Sequence, residues 1–369
     1  MKVHKTRCQF CKLEIETEIQ SQNYHLECLE QISRVNTSTL QRDLFNLGFK
    51  KTSDTFFSDD EYITKHVVVE NQKVIKLNIQ GKFVNGGTKE QLMLIRDLNS
   101  QEFIKIINEL NFLLFWDLKE LKISNIDFES IPIKLFNLTN LMKLSLSNSS
   151  VKDLTESFGD LIHLEEIFLF DLGVKSISES IGRLKNLKII NFHFLKIKEL
   201  PDTIRELENL HSLYINDSLV KILPESINKL INLTELDLQG SKIELLPDTI
   251  SKLPKLKSLN ISRTKIVELP TNIGFLDTLE GLNISKTKLS KLPESFKDLK
   301  SLYSLNMSST SFKTIPEEIK HLSSLEYLDI SRTKINEFPI WITELKSLRK
   351  LKIPIQLRKK VPWEMQSII

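Results

Sequence analysis

Apolar residues recur along most of this chain in a pattern that repeats every 23 positions. Each unit opens with leucine, has leucine or isoleucine three positions later, and has another apolar residue two positions after that. The opening residues are Leu118, Leu141, Leu164, Leu187, Leu210, Leu233, Leu256, Leu279, Leu302, Leu325 and Leu348. A fixed period without insertion or deletion predicts an array of structural repeats.

The second half of the unit has its own pattern, because proline occupies the fifteenth position of nine units. Proline fixes φ and has no N–H, so it suits the start of a short helical turn. Apolar residues follow three and six positions later, as Ile227 and Leu230 follow Pro224. Each unit is therefore predicted to be a short strand, a turn and a short helix. Such a unit buries its apolar side only by stacking on its neighbours in a curved solenoid.

Residues 256–278, LKSLNISRTKIVELPTNIGFLDT, show the whole pattern in one unit. The array resembles the intracellular leucine-rich repeats of the Ras-group type, with their L-x-x-L-x-I-S-x-T-x-I-x-x-L-P-x-x-I-x-x-L pattern. This resemblance implies an α/β solenoid with a parallel β-sheet on its concave face and short helices or 3-10 turns on its convex face. It also implies an adaptor or scaffold, since most members of this class have that role.

The ninth position of the unit carries a hydroxyl residue in seven units, where many leucine-rich repeats have asparagine. These residues are Ser149, Ser218, Ser241, Thr264, Thr287, Thr310 and Thr333. A hydroxyl both donates and accepts hydrogen bonds, so we expect a ladder of side chains bonded to buried turn backbone. Leu172 and Leu195 interrupt the ladder. In the last unit Arg358 replaces an apolar residue, which is typical of a cap against solvent.

The region before the array shows weaker patterns. Residues 61–81 predict two strands around a turn near Asn71, the second of them in the same sheet as the repeats. Apolar residues between Thr88 and Leu114 recur at helical spacing, which predicts two short helices capping the solenoid. The predicted domains are a zinc-finger module (1–35), a connector (36–60), an N-terminal cap (61–117) and the repeats (118–369), which comprise ten units and a C-terminal capping unit.

All three cysteines of the chain lie near its start. Cys8 and Cys11 form C-x2-C, and His25 and Cys28 form H-x2-C after a further 13 residues. Two such pairs suit tetrahedral zinc, and four protein ligands make the site structural rather than catalytic. The segment resembles a treble-clef finger, and more narrowly the first half of a LIM-type finger. The alternative is that the cysteines are unrelated thiols of a cytosolic chain.

Composition narrows the class of protein. With 40% hydrophobic residues the chain can form a core, and its net charge of +3 gives no general attraction to phosphate or membranes. No apolar run approaches the length of a membrane span, and no signal peptide is visible, so we expect a cytoplasmic protein. No catalytic motif is present, which predicts that the chain is not an enzyme.

Large aromatic residues occupy strand positions that should point outward in three neighbouring units. They are Phe168, Phe170, His193, Phe194 and Tyr214. Exposed, clustered aromatic residues are enriched at binding hot spots. The alternative is that the stretch is irregular and its aromatic rings turn into the core beside Leu172 and Leu195.

Polar residues form columns on the same predicted face in later units. One column contains Asp237, Asn260, Asn283, Asn306 and Asp329. Basic residues lie along the edge of the face next to this column, at Arg263, Lys265, Lys286, Lys288, Arg332 and Lys334. Together they suit an acidic partner surface, although duplication of a repeat also copies ordinary solvated residues.

These patterns favour a non-enzymatic scaffold that binds a protein partner across the concave face, with structural zinc as its metal. One alternative is nucleic-acid binding through the zinc module, whose basic residues are offset by five glutamates. The other is that the chain is the recognition subunit of an enzyme complex.

Overall fold

The computed structural model describes residues 119–124 and 128–369 in full, and the backbone of five short strands at 4–7, 14–17, 63–65, 79–81 and 92–96. The chain forms two compact units, residues 1–48 and 49–369. The predicted zinc ligands Cys8, Cys11, His25 and Cys28, and the connector at 36–60, lie outside the described residues. The predicted domain boundaries stay predictions.

Sixteen strands are described, of which β3–β16 form one sheet in chain order. The strands are β1 His4–Arg7, β2 Glu14–Thr17, β3 Ile63–Lys65, β4 Ile79–Gly81, β5 Leu92–Arg96, β6 Glu120–Ser124, β7 Lys143–Ser149, β8 Glu166–Leu172, β9 Ile189–His193, β10 Ser212–Asn216, β11 Glu235–Asp237, β12 Ser258–Asn260, β13 Gly281–Asn283, β14 Ser304–Asn306, β15 Tyr327–Asp329 and β16 Lys350–Lys352. In the first compact unit β1 and β2 pair as an antiparallel hairpin. The eleven strands β6–β16 are parallel, which confirms the predicted sheet of the repeats.

Neighbouring repeat strands pair with no shift in register. Asn283 lies between Asn260 and Asn306, one unit away on either side. The adjacent Ile284 is fully buried, whereas Asn283 is partly exposed. This result confirms the predicted register, because a slip of one residue would exchange the inward and outward side chains.

The opposite side of each unit is a short 3-10 helix. These helices are Ile133–Asn137, Glu156–Asp160, Glu179–Arg183, Asp202–Glu206, Glu225–Lys229, Asp248–Lys252, Ile273–Phe275, Glu294–Asp298, Glu317–His321, Ile340–Glu344, Ile355–Lys360 and Trp363–Ile368. Proline directly precedes nine of them, and eight of these prolines, including Pro224 before Glu225–Lys229, belong to the column at the fifteenth position. The predicted inward residues Ile227 and Leu230 are fully buried. The proline column therefore starts the turns, as predicted.

Leucine side chains from every unit fill the space between sheet and 3-10 helices. The opening leucines from Leu141 to Leu325 are at most 1% exposed. Burying one such side chain contributes about 1.5–3 kcal/mol to folding. Because the core is continuous along the array, each unit is stabilised mainly by its two neighbours.

Six of the seven hydroxyl residues at the ninth position are buried and bonded to turn backbone, as predicted, but each bonds to a carbonyl of its own turn. The Thr287 hydroxyl donates to the Ile284 carbonyl at 2.7 Å, and Ser241, Thr264, Thr310 and Thr333 make the same bond. Ser149 departs from the pattern, since its hydroxyl has no partner among the described residues. In the next two units the ninth position is occupied by Leu172 and Leu195, which are buried.

The last unit is capped by polar groups. The Gln356 side-chain amide donates to the Thr333 carbonyl at 3.0 Å and to the Ile335 carbonyl at 2.8 Å. Arg358 is exposed, and Leu357 beside it is buried. The Gln356 amide thus satisfies carbonyl groups of the preceding unit, while the capping role of Arg358 stays a prediction.

The helix predicted from Thr88 onward is wrong over Leu92–Arg96, which form β5. This strand is parallel to β6, and Met93 and Ile95 align with Leu121 and Ile123. The four apolar residues Leu92–Ile95 fit both a helix and a strand, so their spacing alone did not separate the two. Ile79 lies in the predicted sheet, but its strand β4 is antiparallel to β5.

Candidate binding surface

Three aromatic side chains meet on the solvent side of the sheet. Phe170 on β8 aligns with His193 on β9, and Phe194 follows His193 directly. The His193 and Phe194 rings stack with centroids 4.3 Å apart. The Phe170 ring meets them edge-on, at 5.2 Å from His193 and 5.6 Å from Phe194. We call Phe170, His193 and Phe194 the aromatic cluster.

The aromatic cluster is exposed, although its neighbours form the core. Phe170 is 40% exposed and Phe194 is 46% exposed. The inward positions beside them are filled by Phe192 and Leu195, which are buried. The alternative that this stretch turns its aromatic rings inward is therefore wrong for Phe170 and Phe194.

The other two predicted aromatic residues lie in a separate row. Phe168 and Tyr214 are half-buried, and Asn191 stands between them on β9. The Tyr214 hydroxyl donates to the Glu235 carboxylate. Burial raises the pKa of the Tyr214 phenol, and Glu235 adds to the rise. Tyr214 is thus held in place by its neighbour instead of joining the aromatic cluster.

Phe194 has a left-handed backbone, with φ at 55°. Nine units share this conformation at their eighth position, in Asn148, Asp171, Phe194, Asp217, Gly240, Arg263, Lys286, Ser309 and Arg332. Glycine, asparagine and aspartate tolerate it, whereas other residues lose about 1–2 kcal/mol there. Phe194 therefore bears the same backbone strain as Arg263, Lys286, Ser309 and Arg332, and the conformation is a property of the repeat turn.

Asp217 connects the aromatic cluster to the next units. One carboxylate oxygen lies 3.3 Å from His193 Nε2, and the other lies 3.6 Å from the Arg263 guanidinium. A Cβ atom at Gly240 would meet the Asp217 carboxylate, which would have to move, and the backbone φ of +71° at Gly240 also favours glycine. The sequence-based prediction missed Asp217 and Gly240.

Asp237 is the member of the polar column nearest to the cluster in sequence, and it is partly buried. Its carboxylate accepts from the Gln239 backbone N–H at 2.9 Å and from the Asn260 amide at 3.1 Å. Burial raises the pKa of the Asp237 carboxyl, and these hydrogen bonds offset part of the rise. Asp237 therefore has a structural part on this face.

The asparagines of the same column present donors to solvent. The side-chain oxygens of Asn283 and Asn306 accept from the backbone N–H of Ser285 and Ser308, at 3.1 Å and 3.0 Å. Neither side-chain nitrogen has a hydrogen-bond partner within the described part of the chain, so both point their N–H groups outward. Asp329 repeats the turn bond to the Ser331 N–H at 2.9 Å, but it is buried.

The strand and eighth-position residues on the open sheet face change from acidic to polar and basic at β12. Carboxylates occur on the outward positions of units three to six, at Glu166, Asp171, Asp217, Glu235 and Asp237. From β12 to β14 those positions carry asparagine, serine, glycine and the basic residues Arg263 and Lys286. Arg332 continues this basic column, whereas the tenth position carries exposed lysines in both regions, at Lys196, Lys242, Lys265, Lys288 and Lys334. We call these two regions the acidic half and the basic half.

A metal site, a membrane-spanning helix and a catalytic site each place their own requirements on the described residues. The structure holds no group of three or more histidine, cysteine, aspartate or glutamate side chains arranged for a metal ion within its described residues. Over the same residues, no helix has the length and apolar content needed to cross a membrane. Nothing in this part of the chain points to catalysis.

Comparison with known proteins identifies the fold. A family model described as leucine rich repeat matches residues 208–266. An internalin (inlF) from Listeria monocytogenes str. 4b F2365 is similar over 75% of this chain and 85% of that chain, with 18% identity and a TM-score of 0.53. The LRR ectodomain of the plant membrane receptor kinase GASSHO1/SCHENGEN3 from Arabidopsis thaliana, solved with CASPARIAN STRIP INTEGRITY FACTOR 2, is similar over 68% and 33%, with 24% identity and a TM-score of 0.55.

A third similar structure is the TLR13–ssRNA13 complex, which aligns over 69% of this chain and 38% of that chain, with 23% identity and a TM-score of 0.58. The chain thus spans about a third of the plant ectodomain and of the TLR13 structure. No curated protein matches the sequence at a significant level. Since one of these structures contains a factor and another an RNA, the shared fold leaves the choice of ligand to the surface residues.

Proposed function

We propose that this leucine-rich repeat protein is a non-enzymatic scaffold that binds a protein partner on the open face of its sheet. The observation that carries the proposal is the exposed aromatic cluster, in which Phe194 lies at the left-handed eighth position of its unit. Stacking of the repeats requires no aromatic residue there, since later units have arginine, lysine or serine at the eighth position. Exposed rings that the fold does not need are best explained by a partner.

The energetics of such a surface favour a protein partner. Aromatic side chains contribute large contact areas and are enriched among residues whose truncation weakens binding by about 2 kcal/mol or more. The surrounding face is polar and charged, which gives specificity and steers the encounter. The cluster lies on the open face of the sheet, and an open face suits a macromolecule better than a small substrate.

The test is capture of a partner by the full chain carrying an affinity tag, followed by mass spectrometry. Phe170→Ala should lose any partner that binds the aromatic cluster. Phe275→Ala is the matched control, because Phe275 is 70% exposed but lies on a 3-10 helix away from the sheet. A partner retained equally by both variants would contradict the proposal.

We also propose structural zinc at Cys8, Cys11, His25 and Cys28. The pairing of β1 with β2 supports it, because the antiparallel strands bracket Cys8 and Cys11 as a knuckle requires. Thiolates and imidazole are the ligands that zinc prefers, and the metal would stabilise a segment too small to fold alone. We place the protein in the cytoplasm, where such thiols stay reduced.

Metal analysis of protein purified without chelator tests the zinc site. One zinc per chain is expected, and His25→Gln should lower the zinc content sharply. His4→Gln is the control, since His4 lies on β1 outside the proposed ligand set. A full zinc content in the His25 variant, or no zinc in the parent protein, would contradict the site.

A further inference from the structure

We propose that the partner binds as an extended polypeptide segment laid across the strands. It would place a basic residue on the aromatic cluster and acidic residues on the basic half. This inference rests on the proposed function and specifies the chemistry of its partner. It follows from the division of charge on the open sheet face and from the groups left without partners there.

The aromatic cluster suits a cation. Phe194 stands in its column between Asp171 and Asp217, one unit away on either side. Asp217 is engaged by His193 and Arg263, whereas the Asp171 carboxylate is exposed and has no ion-pair partner among the described residues. An arginine or lysine placed on the exposed rings would gain both a cation–π contact and a carboxylate neighbour.

The basic half suits carboxylates. Lys286 and Arg332 are exposed, and neither has an ion-pair partner in the described part of the chain. Beside them the Asn283 and Asn306 amides present N–H groups, because their oxygens are held by the backbone. Cations and amide donors together bind carboxylates by charge-assisted hydrogen bonds.

Strand spacing sets the distance between the two ends of the segment. Phe194 and Lys286 are four strands apart, which corresponds to about 19 Å at ~4.8 Å per strand. An extended chain covers ~3.3 Å per residue, so about six residues separate the basic residue from the first acidic residue. Arg332 is two strands further, which extends the acidic region to about nine residues from the basic one.

A polyanion fits this face less well than a polypeptide. A strand of RNA crossing the sheet would bring phosphates onto Asp171 and the other carboxylates of the acidic half. Like charges in contact oppose binding. A segment with both signs of charge matches both halves of the face.

Selection from a random peptide display library tests the inference. The full chain is the bait, and a counter-selection against the Phe194→Asn variant removes peptides that bind elsewhere on the protein. Enriched peptides are then measured by fluorescence anisotropy against the parent protein. We expect the enriched peptides to carry arginine or lysine about six to nine residues from aspartate or glutamate.

Lys286→Glu should weaken peptide binding roughly tenfold or more, and replacing the acidic residues of the peptide with lysine should restore it. Lys229→Glu, on a 3-10 helix, is the matched control with the same charge change.

Enriched peptides that need Phe194 but show no such charge order would overturn this inference and leave the proposed function standing. No enrichment would overturn the extended segment, while partner capture would still test the proposed function. Displacement of the peptides by a single-stranded RNA oligonucleotide at equal concentration would overturn the polypeptide in favour of a polyanion. Binding unaffected by changes in the aromatic cluster would contradict both proposals.

Discussion

Replacing Phe194 with asparagine separates a binding role from a folding role. At φ 55° the change to asparagine should recover about 1–2 kcal/mol of backbone strain. It also removes the stacked contact with His193 and the edge contact with Phe170, and each aromatic pair contributes about 0.5–1.5 kcal/mol. The ring is about half-buried, so the lost burial costs ~1 kcal/mol.

The lost contacts and burial cost about 2–4 kcal/mol and the relieved strain returns about 1–2 kcal/mol, so the free energy of unfolding should fall by about 1–2 kcal/mol. Phe192→Ala is the contrast, because Phe192 is fully buried two residues away and its truncation should cost about 3–5 kcal/mol. Thermal and urea unfolding of the two variants and the parent protein measure the difference. If Phe194→Asn lowers stability as much as Phe192→Ala does, the ring belongs to the core and the strain argument is wrong.

Two further predictions concern the polar network beside the cluster. Gly240→Ala should destabilise the array by at least about 1–2 kcal/mol in thermal unfolding, because a Cβ would meet the Asp217 carboxylate and φ is +71°; unchanged stability would contradict the packing of Asp217. Asp237 has a raised pKa in the folded protein, so the folded state binds this proton more tightly than the unfolded state. Relative to Asp237→Asn, the parent protein should therefore gain stability as the pH falls from about 7 through the folded pKa. Urea titrations across that range check the sign, and a relative loss would refute it.

The repeat array was predictable from sequence because its period fixes which side chains point inward. Leu213, Leu236 and Leu259 align in neighbouring strands once the 23-residue step is known. The same step places Phe170 outward, since side chains alternate along a strand. Register and the outward position of Phe170 thus follow from the strand period, whereas Phe194 lies past the end of β9 in a left-handed turn that this rule does not cover.

The polar network was not predictable in the same way. Asp217 and Gly240 become partners because both have left-handed backbones in adjacent turns, and the strand pattern carries no information on turn dihedral angles. The column of Asn148, Asp171, Asp217 and Gly240 at one repeat position was the available signal, as these residue types favour positive φ. For Leu92–Arg96 the 23-residue period is lost, so the apolar pattern alone does not decide between strand and helix.

Site-specific photo-crosslinking tests the central claim most directly. Benzoylphenylalanine at the position of Phe170 keeps an aromatic ring on the open sheet face, and the same group at Phe275 serves as the matched position on a 3-10 helix. Irradiation with the captured partner should give a covalent adduct from position 170 and little or none from position 275. An adduct from position 275 alone would show that the partner binds away from the sheet, and the account of this surface would fail.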